Sequence, residues 1–116
     1  MDSTVWNDIY LHLKETFEVY SPGTKTGECT TNYLVVKKDG SVQFGKFSSD
    51  IDYYSLLCYV PRDAYSQLEK YVNDAQISMK LLEPMVSYAN QKSPSYYDDT
   101  LKAHMISVTY KNYKKL

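Results

Sequence analysis

The sequence predicts an α+β fold in which two helices cover one face of a mostly antiparallel sheet of about four to five strands. Three observations predict it. Apolar residues recur at helical spacing in two separate stretches. Between and after these lie β-branched and aromatic runs bounded by turn residues. The chain has 116 residues, 43% apolar and 23% charged, a length and balance suited to one hydrophobic core and a single domain spanning 1–116.

The first helix is predicted over roughly the first twenty residues. Val5, Trp6, Ile9, Tyr10, Leu13 and Phe17 fall on one stripe, Asp2, Ser3 or Thr4 can cap the start, and Ser21-Pro22-Gly23 stops it. Residues 21–28 read as a polar loop. From Cys29 the pattern turns to strand, with Tyr33-Leu34-Val35-Val36 apolar on both phases. Asp39-Gly40 is a two-residue hairpin signal leading to a second strand, Ser41 to Phe47. A third strand, Ile51 to Val60, closes at Pro61.

The second helix is predicted to be capped by Asp63, with Tyr65, Leu68, Val72, Ala75, Met79 and Leu82 on its apolar face and Pro84 preventing continuation beyond Glu83. Met85–Tyr88 reads as a short strand and 89–97 as a polar loop carrying Tyr96 and Tyr97. A last strand, about Leu101 to Tyr110, precedes the basic tail Lys111 to Leu116.

Thirteen Lys+Arg against fourteen Asp+Glu give a net charge of −1, which argues against a protein whose main task is neutralising DNA phosphates. The longest apolar run, Leu56 to Val60, is far short of a bilayer span, and the N-terminus lacks a basic-then-apolar leader, so the chain is expected to be soluble and unprocessed, with no membrane partner. Cys29 and Cys58 have no partners at zinc-ligand spacing and are expected to be reduced thiols in strands, as in a reducing cytoplasm. Thirteen tyrosines are a marked excess, and tyrosine is enriched at interfaces because it offers a large apolar body with a polar tip.

The strand pattern carries the main functional expectation. A sheet covered by helices on one side should alternate apolar and polar residues. In the third strand, Ile51, Tyr53, Leu57 and Tyr59 occupy one phase and Tyr54, Leu56, Cys58 and Val60 the other. The last strand is apolar at Leu101, Ala103 and Met105, then changes phase to Ile106, Val108 and Tyr110, which predicts a bulge, a bend or cover on both sides. Two helices cover one face. The second needs either a neighbouring subunit or the loops 21–28 and 89–97, and the subunit is the favoured cover, with Tyr33, Tyr54, Leu56, Met105 and Ile106 as candidate contact residues.

Catalytic signals are sparse. His12 lies toward the edge of the first helix's stripe, and His104 reads as a lone histidine on the polar phase of the last strand. Asp98-Asp99 and Asp50-x-Asp52 read as solvated charges rather than metal ligands. Pro22 to Gly27 follows a helix and precedes a strand, the reverse of a phosphate loop. After Asp99 the chain holds Lys102, Lys111, Lys114 and Lys115 and no acidic side chain. This tail is either solvated or, in multiple copies, lines a surface facing nucleic acid or an acidic neighbour.

The layout resembles the small tail-completion proteins of tailed bacteriophages, also called tail terminators or head–tail joining proteins, found in prophages of low-GC Gram-positive bacteria. The resemblance runs through the chain: the N-terminal helix, Gly27-x-Cys29 leading into Tyr33-Leu34-Val35-Val36, the strand from Asp52-Tyr53-Tyr54 to Tyr59-Val60-Pro61 with its long helix, and the close Tyr97-Asp98-Asp99-x-x-Lys102-Ala103-His104-Met105-Ile106-Ser107-Val108-x-Tyr110. It implies a virion protein, assembled in the host cytoplasm, that forms a ring, usually a hexamer. Such a ring caps the tail tube, stops its polymerisation and docks to the head connector while DNA passes through. It implies no catalytic residue and no cofactor. In this setting Tyr88, Tyr96 and Tyr97 suit docking to tube, sheath or connector, and Lys111, Lys114 and Lys115 suit the lumen. A neck stopper or minor capsid protein of the same particle, or a small intracellular dimeric binding module, are the competing expectations.

Overall fold

The computed structural model describes residues 5–43 and 50–114. In chain order these form α1 (Val5–Lys14), β1 (Val19–Tyr20), β2 (Tyr33–Gln43), β3 (Asp50–Pro61), a 3₁₀ helix (Arg62–Gln67), α2 (Leu68–Lys80), β4 (Ser87–Lys92), β5 (Tyr96–Asp98) and β6 (Ala103–Lys114). The expected α+β layout holds, and among the described residues the sheet has six strands in the order β1-β2-β3-β6-β4, with β5 also paired to β6. All pairings are antiparallel except β1 with β2.

α1 buries Ile9 and Leu13, one turn apart, against the sheet. Trp6 stacks on Tyr10 at 5.1 Å, and its indole N–H donates to the Val36 carbonyl at 2.7 Å, which ties the helix to β2. The helix is shorter than its apolar periodicity predicts. The Thr16 and Phe17 amides turn back onto the Leu13 carbonyl at 3.1 and 2.8 Å, and the chain swings so that Val19 and Tyr20 pair with Leu34 and Val35. Phe17 keeps the stripe going after the helix has ended, because its ring packs edge-on against Tyr71 of α2 at 5.7 Å.

Asp39-Gly40 is not a hairpin turn. β2 continues through it as one strand of eleven residues, and the register against β3 slips by one residue between Lys38 and Gly40. Asp39 is the extra residue of a bulge. Its carboxylate accepts the Ser55 hydroxyl and sits 3.8 Å from Lys37, while Gly40 takes φ +154°, a conformation that costs a side-chain-bearing residue more. The predicted strand Ser41 to Phe47 is therefore the end of β2 as far as Gln43, and its remainder lies outside the described residues.

The second helix also departs at both ends. Arg62–Gln67 is 3₁₀ with a kink at Ala64, no side chain caps either segment, and Asp63 is an exposed neighbour of Arg62 instead. α2 stops at Lys80, with turns through Leu81, Leu82 and Glu83 before Pro84. Of the predicted apolar face, Leu68, Val72, Ala75 and Met79 are buried, Leu82 is half-buried, and Tyr65, in the 3₁₀ segment, is exposed instead. The predicted loop 89–97 holds most of β4 and β5, two short pieces that share the outer edge of β6.

No change of phase occurs in β6. It pairs with β3 residue for residue from Ala103–Pro61 to Lys114–Asp50. Ile106, Val108 and Tyr110 face the helices throughout, in one cluster with Leu34, Val36, Tyr54, Leu56, Cys58, Val60 and the buried faces of both helices. Ala103 belongs to a second cluster on the other face, with Cys29, Tyr33 and Val35. The apparent switch arises because that end of β6 is covered on both sides.

Among the described residues, the buried side-chain polar atom without a hydrogen-bond partner is the Tyr71 hydroxyl. Burial pushes its ionisation well above the ordinary tyrosine range. Removing an unsatisfied buried hydroxyl while keeping the ring relieves a desolvation cost. Tyr71→Phe is expected to raise stability by about 1 kcal/mol in a urea titration.

Candidate interaction surface

The face of the sheet away from the helices is covered at one end and open toward the other. At the end formed by Tyr33, Val35 and Ala103 the chain covers itself: the Cys29 amide donates to the Leu101 carbonyl at 2.7 Å, closing the loop before β2 over the sheet. Beside them on the neighbouring strands, Leu57 and Tyr59 pack half-buried against the same cluster, and Met105, opposite Tyr59, is half-buried too. Toward the far end Lys37, Ser55, Thr109 and Lys111 lie on this side together with the half-buried Tyr53 and the buried Ile51. This face is therefore part core, part surface.

The covered end is held by a polar and aromatic clasp. Tyr33 stacks on Tyr59 at 4.8 Å and meets Tyr20 edge-on at 5.5 Å. The Lys25 ammonium lies over both the Tyr20 and Tyr33 rings, at 5.6 and 5.7 Å, a cation–π arrangement that closes the loop. Glu18 accepts hydrogen bonds from the Tyr20 and Thr31 hydroxyls, and these hold its carboxyl below the usual value of 4.5. A carboxyl lowered on folding stabilises the fold above its unfolded value, and that contribution is lost as the pH falls through the folded value. Backbone amide exchange in residues 19–33 is expected to quicken, relative to the rest of the sheet, on going from pH 6 to about pH 3. Glu18→Gln should remove most of this difference.

The opposite edge carries an aromatic cluster. His104, at the start of β6, faces the helix layer rather than a polar phase, because it shares a side with Ile106 and Val108. Its ring lies between Tyr65 of the 3₁₀ helix, at 4.7 Å, and Tyr97 of β5, at 5.1 Å. Its Nε2 is 3.2 Å from the Arg62 carbonyl, which places the proton on that nitrogen. Tyr65, Tyr96 and Tyr97 remain 55%, 53% and 43% exposed, with Tyr96 on the other side of β5 beside Met105. β5 is held by Asp98, whose carboxylate accepts the Leu101 amide, and Asp99 pairs with Lys102 at 3.3 Å.

A second exposed apolar region lies at the other end of α2. Ile77 and Leu81 are 59% and 75% exposed, and with Thr16, Phe17, Asp74 and Ser78 they line an open groove of about 310 Å³ between the ends of α1 and α2. His12 bridges the two helices beside it, its Nε2 2.9 Å from the Ser78 carbonyl.

These positions correct the sequence-based contact set. Tyr54, Leu56 and Ile106 project from the helix side of the sheet and are buried in the chain's own core, so they form no free face. Tyr33 is on the other side but is sealed by the loop from Cys29 and by Tyr59. Met105 alone of the five keeps part of its surface open. Among the docking tyrosines, Tyr96 and Tyr97 are exposed, whereas Tyr88 packs against Tyr110 at 6.0 Å on the core. Lys111 lies within β6 opposite Tyr53 and Ser87, so it belongs to the sheet rather than to a tail; Lys114 ends β6 and Lys115 lies outside the described residues. The groove at Ile77 and Leu81 and the part played by Tyr65 were missed. Both residues of the groove interrupt the polar side of a helix that reads as solvated, which is the signal that marks them.

Among the described residues no three His, Cys, Asp or Glu side chains gather as metal ligands, and no helix is long and apolar enough to cross a membrane. Cys29 and Cys58 are both buried free thiols, Cys29 in the loop before β2 rather than in a strand. Burial pushes the Cys58 thiol up to about 12. No protein-family model matches the chain, and no curated protein matches it either.

Proposed function

We propose that this chain is a structural protein of a phage or phage-tail-like particle, a tail terminator that assembles as a ring, usually of six copies. The ring caps the tail tube and ends its polymerisation, meets the head connector on its other face, and lets DNA pass. The observation that carries this reading is the pair of unlike apolar patches, Tyr65/Tyr97 and Ile77/Leu81, at opposite ends of α2. A helix of thirteen residues sets them about 20 Å apart. A closed ring needs two different surfaces on each subunit, whereas a twofold dimer needs one self-complementary surface. The resemblance of the chain to tail-completion proteins supplies the kind of ring. The near-neutral charge suits a subunit whose neighbours are mostly protein.

Electron microscopy of particles from a producing strain tests the proposal. Gold-labelled antibody is expected at the head-proximal tip of the tail, and deletion of the gene is expected to give tubes of irregular length and unattached heads. Tails of uniform length that still join to heads after deletion refute it.

A further inference from the structure

We infer that residues 21–32 form a strap over the second face of the sheet that lifts as a unit while the sheet stays folded, and that the Glu18 carboxylate is the latch that holds it down. Such a strap acts within a single copy, whatever the chain assembles into.

The strap has little to hold it. Cys29 is its one buried residue, and the rest of it is exposed or half-buried and mostly polar. Beneath it lie Tyr33 and Ala103, which are closed to water. A cover made of exposed polar residues gains little from burial, so Cys29 acts as the pin. The Cys29 amide also ties the strap across to the Leu101 carbonyl at 2.7 Å, whereas the Thr24 amide turns back on the Ser21 carbonyl within the strap. Gly27, two residues before the pin, takes φ +84°, and a Cβ there would meet nothing within 4 Å, so this bend is not packed against a neighbour. β3, by contrast, is paired on both sides along its length. Segments with few buried contacts open first, ahead of the sheet they cover.

Glu18 ties the two ends of the strap together. Its carboxylate accepts the Tyr20 hydroxyl, just before the strap, and the Thr31 hydroxyl near its end, the latter at 2.9 Å. Lys25, in the middle of the strap, lies over the Tyr20 and Tyr33 rings and attracts the same carboxylate. Two more acids stand close. Asp98 of β5 accepts the amide of Leu101, whose carbonyl holds Cys29, and Glu28 in the strap is exposed. Tyr20, Tyr33, Tyr59 and Cys29 all have their ionisation pushed up, so they stay neutral in acid. Glu18 is the acid bonded to both ends. Its bonds to Tyr20 and Thr31 need the ionised carboxylate, so they favour the closed strap above the ordinary carboxyl value of 4.5 and are lost as the pH falls through the lower closed-state value. Acid therefore favours lifting. Because Glu18 is exposed, the effect is a change of a few fold and not unfolding.

Labelling of the two native thiols with dithiodipyridine, which reacts in acid as well as at neutral pH, tests both parts. Cys29 lies under the strap and Cys58 in the core beneath the helices, so one chain reports lifting and global unfolding at once. Each rate is read by peptide mass and divided by that of the urea-unfolded chain at the same pH. At about pH 6 Cys29 is expected to react roughly a hundredfold or more faster than Cys58. Low urea should leave the Cys29 rate nearly unchanged and raise the Cys58 rate steeply, because lifting exposes little surface and unfolding exposes much. Equal rates with equal urea slopes overturn the strap, since Cys29 then opens only by global unfolding. From about pH 6 to about pH 3.5 the Cys29 rate should rise roughly threefold or more. Glu18→Gln should react faster than wild type at about pH 6 and stay nearly flat over that range, while Asp98→Asn should keep the rise. A rise that survives Glu18→Gln, or one that Asp98→Asn removes, overturns Glu18 as the latch.

Discussion

Leu56→Asp is expected to unfold the protein outright. Leu56 sits at the middle of β3, paired with Val36 on one side and Val108 on the other, all three buried beneath the helices. Removing the leucine alone costs about 2–5 kcal/mol through lost burial and the cavity left behind. A carboxylate in that apolar space is desolvated, which adds several kcal/mol unless it is protonated. The sum, roughly 5–10 kcal/mol, is comparable with the roughly 5–15 kcal/mol that holds most domains together. Far-UV circular dichroism at 25 °C should show loss of the cooperative melt, while Leu56→Met should retain it with a change of less than about 1.5 kcal/mol. Tyr97→Asp, on the exposed edge, is expected to fold as wild type and to lose assembly instead. This is the reverse of the reading in which Leu56 and Tyr54 face a neighbouring copy, and a folded, unassembled Leu56→Asp chain would restore that reading.

The second large effect belongs to Tyr33→Ala. Tyr33 is 1% exposed, although it lies on the side of the sheet without helices. Truncating a buried aromatic costs about 3–5 kcal/mol, and the stack on Tyr59 adds about 1 kcal/mol to the loss. The damage should be uneven. Lys25 loses one of its two rings, Tyr20 loses its edge contact, and the loop carrying Cys29 loses the surface it closes over. Urea titration is expected to give the full loss. Amide exchange should show residues 19–32 opening first, while the pairing of β3 with β6 keeps its protection until global unfolding. Tyr33→Phe should recover most of the stability, because the ring rather than the hydroxyl makes these contacts.

Both expectations follow from how the chain covers its own sheet. The helix side of the sheet is closed by α1 and α2, and one end of the other side is closed by the chain's own loop. Among the described residues, apolar surface stays open at the β5 edge, in the groove between the helix ends, at Leu11 of α1, and in part at Leu57, Tyr59 and Met105. The molecule measures 49 × 26 × 24 Å, with a radius of gyration of 14.7 Å against about 13 Å for a compact domain of this length.

Local chemistry along the chain determined the parts that depend on neighbours in sequence. The stripe of Ile9 and Leu13, the face of Leu68, Val72, Ala75 and Met79, and the run from Ile51 to Pro61 were legible because burial on one side of a helix or in a central strand writes a period into the residues. So was the class of fold. Partners distant in sequence decided the rest. β1, β4 and β5 carry little alternation of their own and exist because the edges of β2 and β6 supply backbone donors and acceptors. Asp39 became a bulge rather than a turn because β3 continues beside it on the far side of Gly40. The greasy second face of the strands reads in sequence as a demand for cover, but a period of two cannot say whose atoms provide it. Only the folded chain shows that Cys29, Tyr20 and Leu101 do so at one end, where Tyr33 and Ala103 are sealed from water by residues of their own molecule.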